Sequence, residues 1–187
     1  MNTKKEPELE KNNSGSKTKI TLKNITKSFS GITVLNNINL EFTSGEIHGL
    51  VGQNGAGKST LGKIIGGHYK LSSGNIFLND NLIKKWSSKI ALDNGIAMIH
   101  QELALVPGMT VYDNIFLGIE ENYYGIIGKQ NTKLFNDLDQ KIGFNLDPNQ
   151  KVSSLRIADQ QKVEIIRALA RNAKVIIMDE PTSSLTN

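Results

Sequence analysis

Short alternations of apolar and polar residues fill the first part of the chain, and helical periodicities fill the second. Lys19 to Leu22 and Asn37 to Phe42 alternate on either side of the turn-forming Ser30-Gly31, which predicts an antiparallel hairpin sheet. Glu46 to Val51 reads as a strand that runs into a glycine-rich turn. Ser59 to Ile65 then sets Leu61, Ile64 and Ile65 on one helical face. Ser73-Gly74 turns the chain into a strand at Asn75 to Leu78, and Gly95 leads into the apolar run Ile96 to Ile99. From Glu102 to about Asn172 the pattern is mostly helical, broken at Pro107-Gly108, Gly125 to Gly128 and Asp147-Pro148. It predicts an inserted helical subdomain over about 103–172. Val175 to Met178 is a continuous apolar run ending in Asp179-Glu180-Pro181, the pattern of a strand buried on both faces of a parallel sheet. No repeat at solenoid periods interrupts this order.

Composition narrows the class. With 187 residues, 38% hydrophobic and 21% charged, the chain can build one domain with a core. A net charge of +4 raises nucleic acid as a partner. Much of the excess, however, sits in an Asn/Lys/Ser-rich start that carries Lys4, Lys5, Lys11, Lys17 and Lys19. Residues 1–18 are therefore expected to be a disordered polar tail, 19–187 the domain, and nucleic acid no partner. No window approaches the roughly 18 apolar residues of a membrane span, and no signal-peptide core is present, which predicts a cytoplasmic protein. The absence of cysteine excludes disulfides and thiolate metal sites, and His48, His68 and His100 lack ligand spacing.

The chemistry concentrates at Gly52-Gln53-Asn54-Gly55-Ala56-Gly57-Lys58-Ser59, which fits G-x-x-x-x-G-K-[ST] between an expected strand and an amphipathic helix. Glycines let the backbone wrap a phosphate, successive N–H groups point inward, and the helix N-terminus adds its positive end. Lys58 can then reach β- and γ-phosphates, and the Ser59 hydroxyl can ligate Mg²⁺. The bland alternative is a glycine turn with an incidental lysine. A second element is Asp179, which a buried strand would deliver to the C-terminal edge of the sheet, where ligands bind. Asp179 would hold Mg²⁺ through its water shell, and Glu180 would orient or deprotonate an attacking water. Taken alone, such a run is a strand ending in a polar turn.

These motifs, in this order, resemble the ATP-binding-cassette family from about Ile20 to Asn187. The resemblance implies an α/β fold: a P-loop NTPase core with a mostly parallel sheet, an N-terminal antiparallel β subdomain and the inserted helical subdomain. It implies ATP and Mg²⁺ as cofactors. Phe29 matches the aromatic residue that stacks on adenine, with a place in the core of the hairpin sheet as the alternative. Nucleotide contacts would then come from Phe29, Gly52, Asn54, Gly55, Ala56, Gly57, Lys58, Ser59 and Thr60. Gln101 matches the glutamine that reaches the metal and attacking water, so metal contacts fall on Ser59, Gln101 and Asp179, and catalysis on Glu180, Gln101 and Lys58. The stretch Ile99-His100-Gln101-Glu102-Leu103, with Pro107, Thr110-Val111 and Asn114-Ile115-Phe116-Leu117-Gly118, is similar to the N-terminal cassettes of simple-sugar importers. Transmembrane permease subunits, a second cassette and, indirectly, a sugar-binding protein are the implied partners, at the cytoplasmic face of the membrane. A soluble, non-transport ATPase of the same family is the alternative.

One motif departs from the family. Where its signature reads Leu-Ser-x-Gly-x-Gln, this chain has Leu155-Arg156-Ile157-Ala158-Asp159-Gln160. The signature clasps the γ-phosphate held by an opposite cassette. Arg156 can offer charge there, while Ala158 adds a Cβ where room is scarce. The departure predicts asymmetric paired sites, or a degenerate cassette that binds nucleotide without turnover. Asp159 to Ala173 also reads simply as an amphipathic helix, with Val163, Ile166 and Ala170 inward. Pro181 to Thr186 resembles the loop that lines the dimer interface. The sequence ends soon after it, before the family's next core strand and switch histidine, so a fragment of a longer tandem-cassette protein, poorly stable and nearly inactive alone, is the expectation.

Overall fold

The computed structural model describes residues 18–119, 122–123, 126–127 and 132–179. Strands β1 (Lys19–Phe29) and β2 (Ile32–Thr43) form the expected hairpin, joined by Ser30 and Gly31 at φ 46° and 86°. Two central residues at positive φ match the twist of the paired strands. Both strands run further than their alternation suggested. The register shifts between Leu22 and Ile25, and Asn24 and Asn37 take φ near 54° and 53°, so bulges break the period while pairing continues. Asn39 Oδ1 accepts from Asn24 N–H at 2.9 Å and Thr26 Oγ1 from Asn37 N–H at 3.2 Å, which satisfies the bulged backbone. β3 (Ser73–Leu78) adds to the other side of β1, and β4 (Asn81–Leu82) closes an antiparallel sheet ordered β2-β1-β3-β4. Gly74 passes so close to the bulge that a Cβ would lie 2.5 Å from Asn24 O, at φ 102°.

The inward residues Ile20, Leu22, Ile25, Leu35, Ile76 and Leu78 meet Leu61, Ile64 and Ile65 of helix α1 (Lys58–Ile65) in one buried cluster. Trp86 Nε1 donates to the carbonyls of Ile64 and Ile65, at 2.9 and 3.1 Å, and so caps the end of α1. The short helix α2 (Ser88–Asp93) precedes strand β5 (Ile96–Ile99). β5 pairs in parallel with β8 (Val175–Met178), Ile96 to Val175 through Ile99 to Met178.

Between β5 and β8 lie α3 (Val111–Phe116), the small hairpin β6 (Asn122–Tyr123) and β7 (Ile126–Ile127), α4 (Thr132–Ile142), a single 3₁₀ turn at Val152–Ser154, and α5 (Ile157–Ala170). Val111, Ile115, Phe116, Phe135, Val152, Val163 and Ile166 form a second buried cluster, separate from the first. Each helix of this group supplies its apolar stripe to that cluster.

Two expectations need correction. Residues 46–51 form no strand, and Ile47, Leu50 and Val51 are exposed. A strand exists by its ladder, and among the described residues nothing pairs with this segment. β8 is likewise only half-buried, with Met178 43% exposed, because its described neighbour is β5 alone.

Candidate functional site

The glycine-rich loop takes its shape from two residues that only glycine suits. Gly57 is the N-cap of α1 at φ 90° and ψ 9°, and a Cβ there would sit 2.7 Å from Leu35 Cδ2 and 3.2 Å from Val34 O. Gly55, at φ 82°, turns the exposed tip formed by Gln53, Asn54 and Ala56, closed by Ala56 N–H donating to Gln53 O at 3.2 Å. The helix start is left open. No side chain caps α1 and no acidic residue stands in its first turn, so no side chain of its own neutralises the positive end of its dipole. Lys58 Nζ folds back to donate to Gly52 O at 2.8 Å and Gln53 O at 2.9 Å. An ammonium held over a ring of backbone and a bare helix N-terminus is a receptor for an anion. Ser59 and Thr60 are half-buried in the same first turn.

α1 is laid onto the parallel strands by its own glycines. A Cβ on Gly62 would lie 3.4 Å from Ile177 Cγ2, and one on Gly66 3.2 Å from Met98 Cβ. Beyond those strands, Asp179 follows β8 directly, and its N–H donates to Ile99 O at 3.2 Å, the last bond of the ladder. His100 and the exposed Gln101 follow β5. Asp179 and Gln101 therefore leave the C-terminal ends of two paired parallel strands, the edge at which open α/β sheets bind ligands. Hydroxyl, amide and carboxylate oxygens, from Ser59, Gln101 and Asp179, are the hard donors that magnesium takes. Glu180 and the loop from Pro181 lie outside the described residues.

The loop that follows Gln101 is pinned by a buried amide. Asn114 Oδ1 accepts from Val106 N–H at 2.7 Å, and its Nδ2 donates to Val106 O and Thr110 O at 3.1 and 2.9 Å. A Thr110–Asp113 capping box starts α3 just before it. Nearby, Glu164 accepts from Ala104 N–H at 3.0 Å, and Arg167 donates to Ala104 O at 2.8 Å. A cavity of about 200 Å³ opens between β5 and α5, lined in part by His68, His100, Glu164 and Arg167. The rings of His68 and His100 meet edge to face at 4.7 Å, though their spacing in sequence gave no sign of it. Burial, then His100, then Lys63, hold the His68 imidazolium below its ordinary pKa.

Residues 35–183 match the family model described as ABC transporter. The chain belongs to the ABC transporter family. It is 46% identical over 165 residues to the arabinose import ATP-binding protein AraG of Paraburkholderia xenovorans, covering 88% of this chain and 32% of that protein. It is 43% identical over 167 residues to the ribose import ATP-binding protein RbsA of Clostridium perfringens, covering 87% and 33%. The chain thus spans about a third of the length of the curated relatives it matches. Among solved structures, a nucleotide-free ATP-binding cassette from an ABC transporter superposes with a TM-score of 0.75 at 26% identity, over 88% of this chain and 69% of that one. The ADP conformation of another such cassette gives 0.74 at 26%, over 89% and 70%. The ABC fold expected from the motifs is therefore present.

Two further candidate elements of this ABC chain lie outside the glycine-rich loop in sequence. Phe29 is not a core residue. It ends β1 beside the hairpin turn, 37% exposed, with the ring of Tyr69 edge-on at 5.3 Å and Lys27 Nζ 4.5 Å from its centroid. Nothing in the local sequence marked Tyr69, because the contact joins segments 40 positions apart. The signature-like segment opens α5 with the exposed Arg156 as N-cap, making no side-chain cap bond, and Ala158 in the first turn. Gln160 Nε2 donates to Leu155 O at 3.1 Å, and Asp159 pairs with Lys162 at 2.7 Å.

Proposed function

We propose that this chain binds MgATP at Gly52–Thr60 and hydrolyses it when a second cassette completes the site, driving import of a simple sugar through a membrane permease at the cytoplasmic face. The observation that carries the reading is the bare N-terminus of α1 with Lys58 folded over the loop carbonyls. A triphosphate would take the place of those carbonyls as the partner of Lys58, and the exchange of a neutral acceptor for an anion favours binding. Phe29 would stack on the base. Ser59, Gln101 and Asp179 would hold Mg²⁺, which would supply positive charge to offset that of the phosphates. Glu180 would orient or deprotonate the water, and the chemistry is otherwise positioning and electrostatics. Residues of about 103–172 would act as the helical lobe that meets the permease, together with Gln101. The sugar reading rests on the relatives that import arabinose and ribose.

Calorimetric titration of ATP into the purified chain tests the core of this reading. Lys58→Ala should weaken binding by about 10- to 100-fold, the worth of one charge-assisted bond to phosphate. Equal affinity in the variant overturns it. Co-purification from membranes would then show whether a permease and a sugar-binding protein travel with the chain. A second reading, nucleotide binding without turnover at the paired site, is favoured by Arg156 and Ala158 at the start of α5. ATP turnover by a paired cassette complex that rises when Arg156→Ser and Ala158→Gly are introduced supports it, and an unchanged rate removes it.

A further inference from the structure

Phe29 stands where a large ring is hard to hold still: the last residue of β1, beside a turn, with 37% of its surface in water. Lys27 Nζ lies 4.5 Å from its centroid, and the ring that packs against it comes from the segment beyond α1. Ser72 N–H donates to Thr26 O at 3.0 Å, and Ser72 Oγ accepts from Ser28 N–H at 3.0 Å, so the segment leaving α1 is strapped along β1. The strap brings Tyr69 against Phe29 with ring centroids 5.3 Å apart and planes at 74°, the edge-to-face geometry that aromatic pairs prefer. Tyr69 is itself half-buried against the cluster formed by α1 and the antiparallel sheet. Lys63 of α1 places its Nζ 5.6 Å from the Tyr69 centroid, and Lys27 Nζ lies 6.0 Å from the same ring. One ring is anchored and the other is exposed.

We infer that Tyr69 is a positioning residue for nucleotide: it fixes the plane of Phe29, so that the ring is ready to stack on a base. The inference rests on the nucleotide reading proposed above. α1 carries Lys58 at its start and leads through Lys63 to Tyr69, so one short helix ties the phosphate loop to the aromatic platform. Ordering Phe29 during folding removes that entropy cost from binding. Tyr69 touches Phe29 and acts through it, and the base itself is the concern of Phe29 alone.

The test compares ATP with inorganic tripolyphosphate, which shares the phosphates and lacks the base, by calorimetry on the whole chain. Tyr69→Ala should weaken ATP about three- to tenfold, the range of one aromatic pair, and leave tripolyphosphate unchanged. Tyr69→Phe, which keeps the ring, should restore ATP to within about twofold of the wild type. Unchanged ATP affinity in Tyr69→Ala, an equal loss of both ligands, or failure of Tyr69→Phe to restore ATP overturns the inference and leaves the nucleotide reading standing. A wild-type chain that binds neither ligand overturns the nucleotide reading and this inference with it.

Discussion

Two helices begin beside motifs that the sequence marks for phosphate, α1 at Gly57 and α5 at Arg156, and they begin in opposite ways. α1 starts from a left-handed glycine, bears no acid in its first turn, and keeps a lysine over the opening. α5 starts from an extended arginine and carries Asp159 in its first turn, already paired with Lys162 at 2.7 Å. Both lack a side-chain cap, so both leave backbone donors free. Only α5 spends its dipole on a carboxylate of its own. Its 14 residues against 8 in α1 do not compensate, because the field of a helix end is set by its last turn. Readiness for phosphate thus depends on what already occupies the terminus more than on helix length.

The sharpest way to break the contrast is to put a side chain at the left-handed N-cap of α1. Gly57→Ala forces a Cβ to 2.7 Å from Leu35 Cδ2 and an L side chain into φ 90°. We expect a loss of about 1–3 kcal/mol in stability, read by thermal or urea unfolding, together with lost ATP binding. The converse change mends α5. Arg156→Ser installs a hydroxyl where a cap is missing and should add about 0.5–2 kcal/mol, visible as an upward shift of the unfolding midpoint. If Arg156→Ser destabilises the chain, the arginine has a structural role that its exposure does not reveal.

Asp159→Asn comes next. It breaks a pair whose side chains are about one-third exposed and removes a favourable dipole contact. After solvent screening the loss should be about 0.3–1 kcal/mol. The same variant should make the α5 terminus more receptive to anions, which chloride or phosphate titration followed by thermal shift would detect.

What could be read in advance follows the range of each interaction. The phosphate loop was legible because its chemistry lies within eight consecutive residues, Gly52 to Ser59, and its geometry follows from glycine backbone freedom. The departure at Arg156 and Ala158 was legible for the same reason, although the competing Asp159–Lys162 pair needed coordinates. Residues 46–51 have a strand-like apolar pattern without a strand, because pairing is not a property of one segment. The length of β1 and β2 escaped because the bulges at Asn24 and Asn37 break the alternation without ending the ladder. Tyr69 against Phe29, and His68 against His100, join segments that no local pattern connects.

His68 gives the smallest effect and extends the comparison beyond the helix starts. It lies just beyond α1, and its ring meets His100 in the cavity beneath α5. Burial, His100 and Lys63 all disfavour its protonated form, so the folded pKa lies below the unfolded value of 6.5. The folded state therefore binds this proton less readily than the unfolded chain. Stability from this group is fully present above 6.5 and is lost as pH falls through that value towards the folded pKa. The loss is small because the ring keeps contact with solvent. Unfolding midpoints of wild type and His68→Gln, compared at about pH 7.5 and 5.5, should diverge at the lower pH, with the wild type falling further. Parallel curves would mean that His68 meets its proton as freely in the folded chain as in the unfolded one, and that the cavity is open to water on the α1 side.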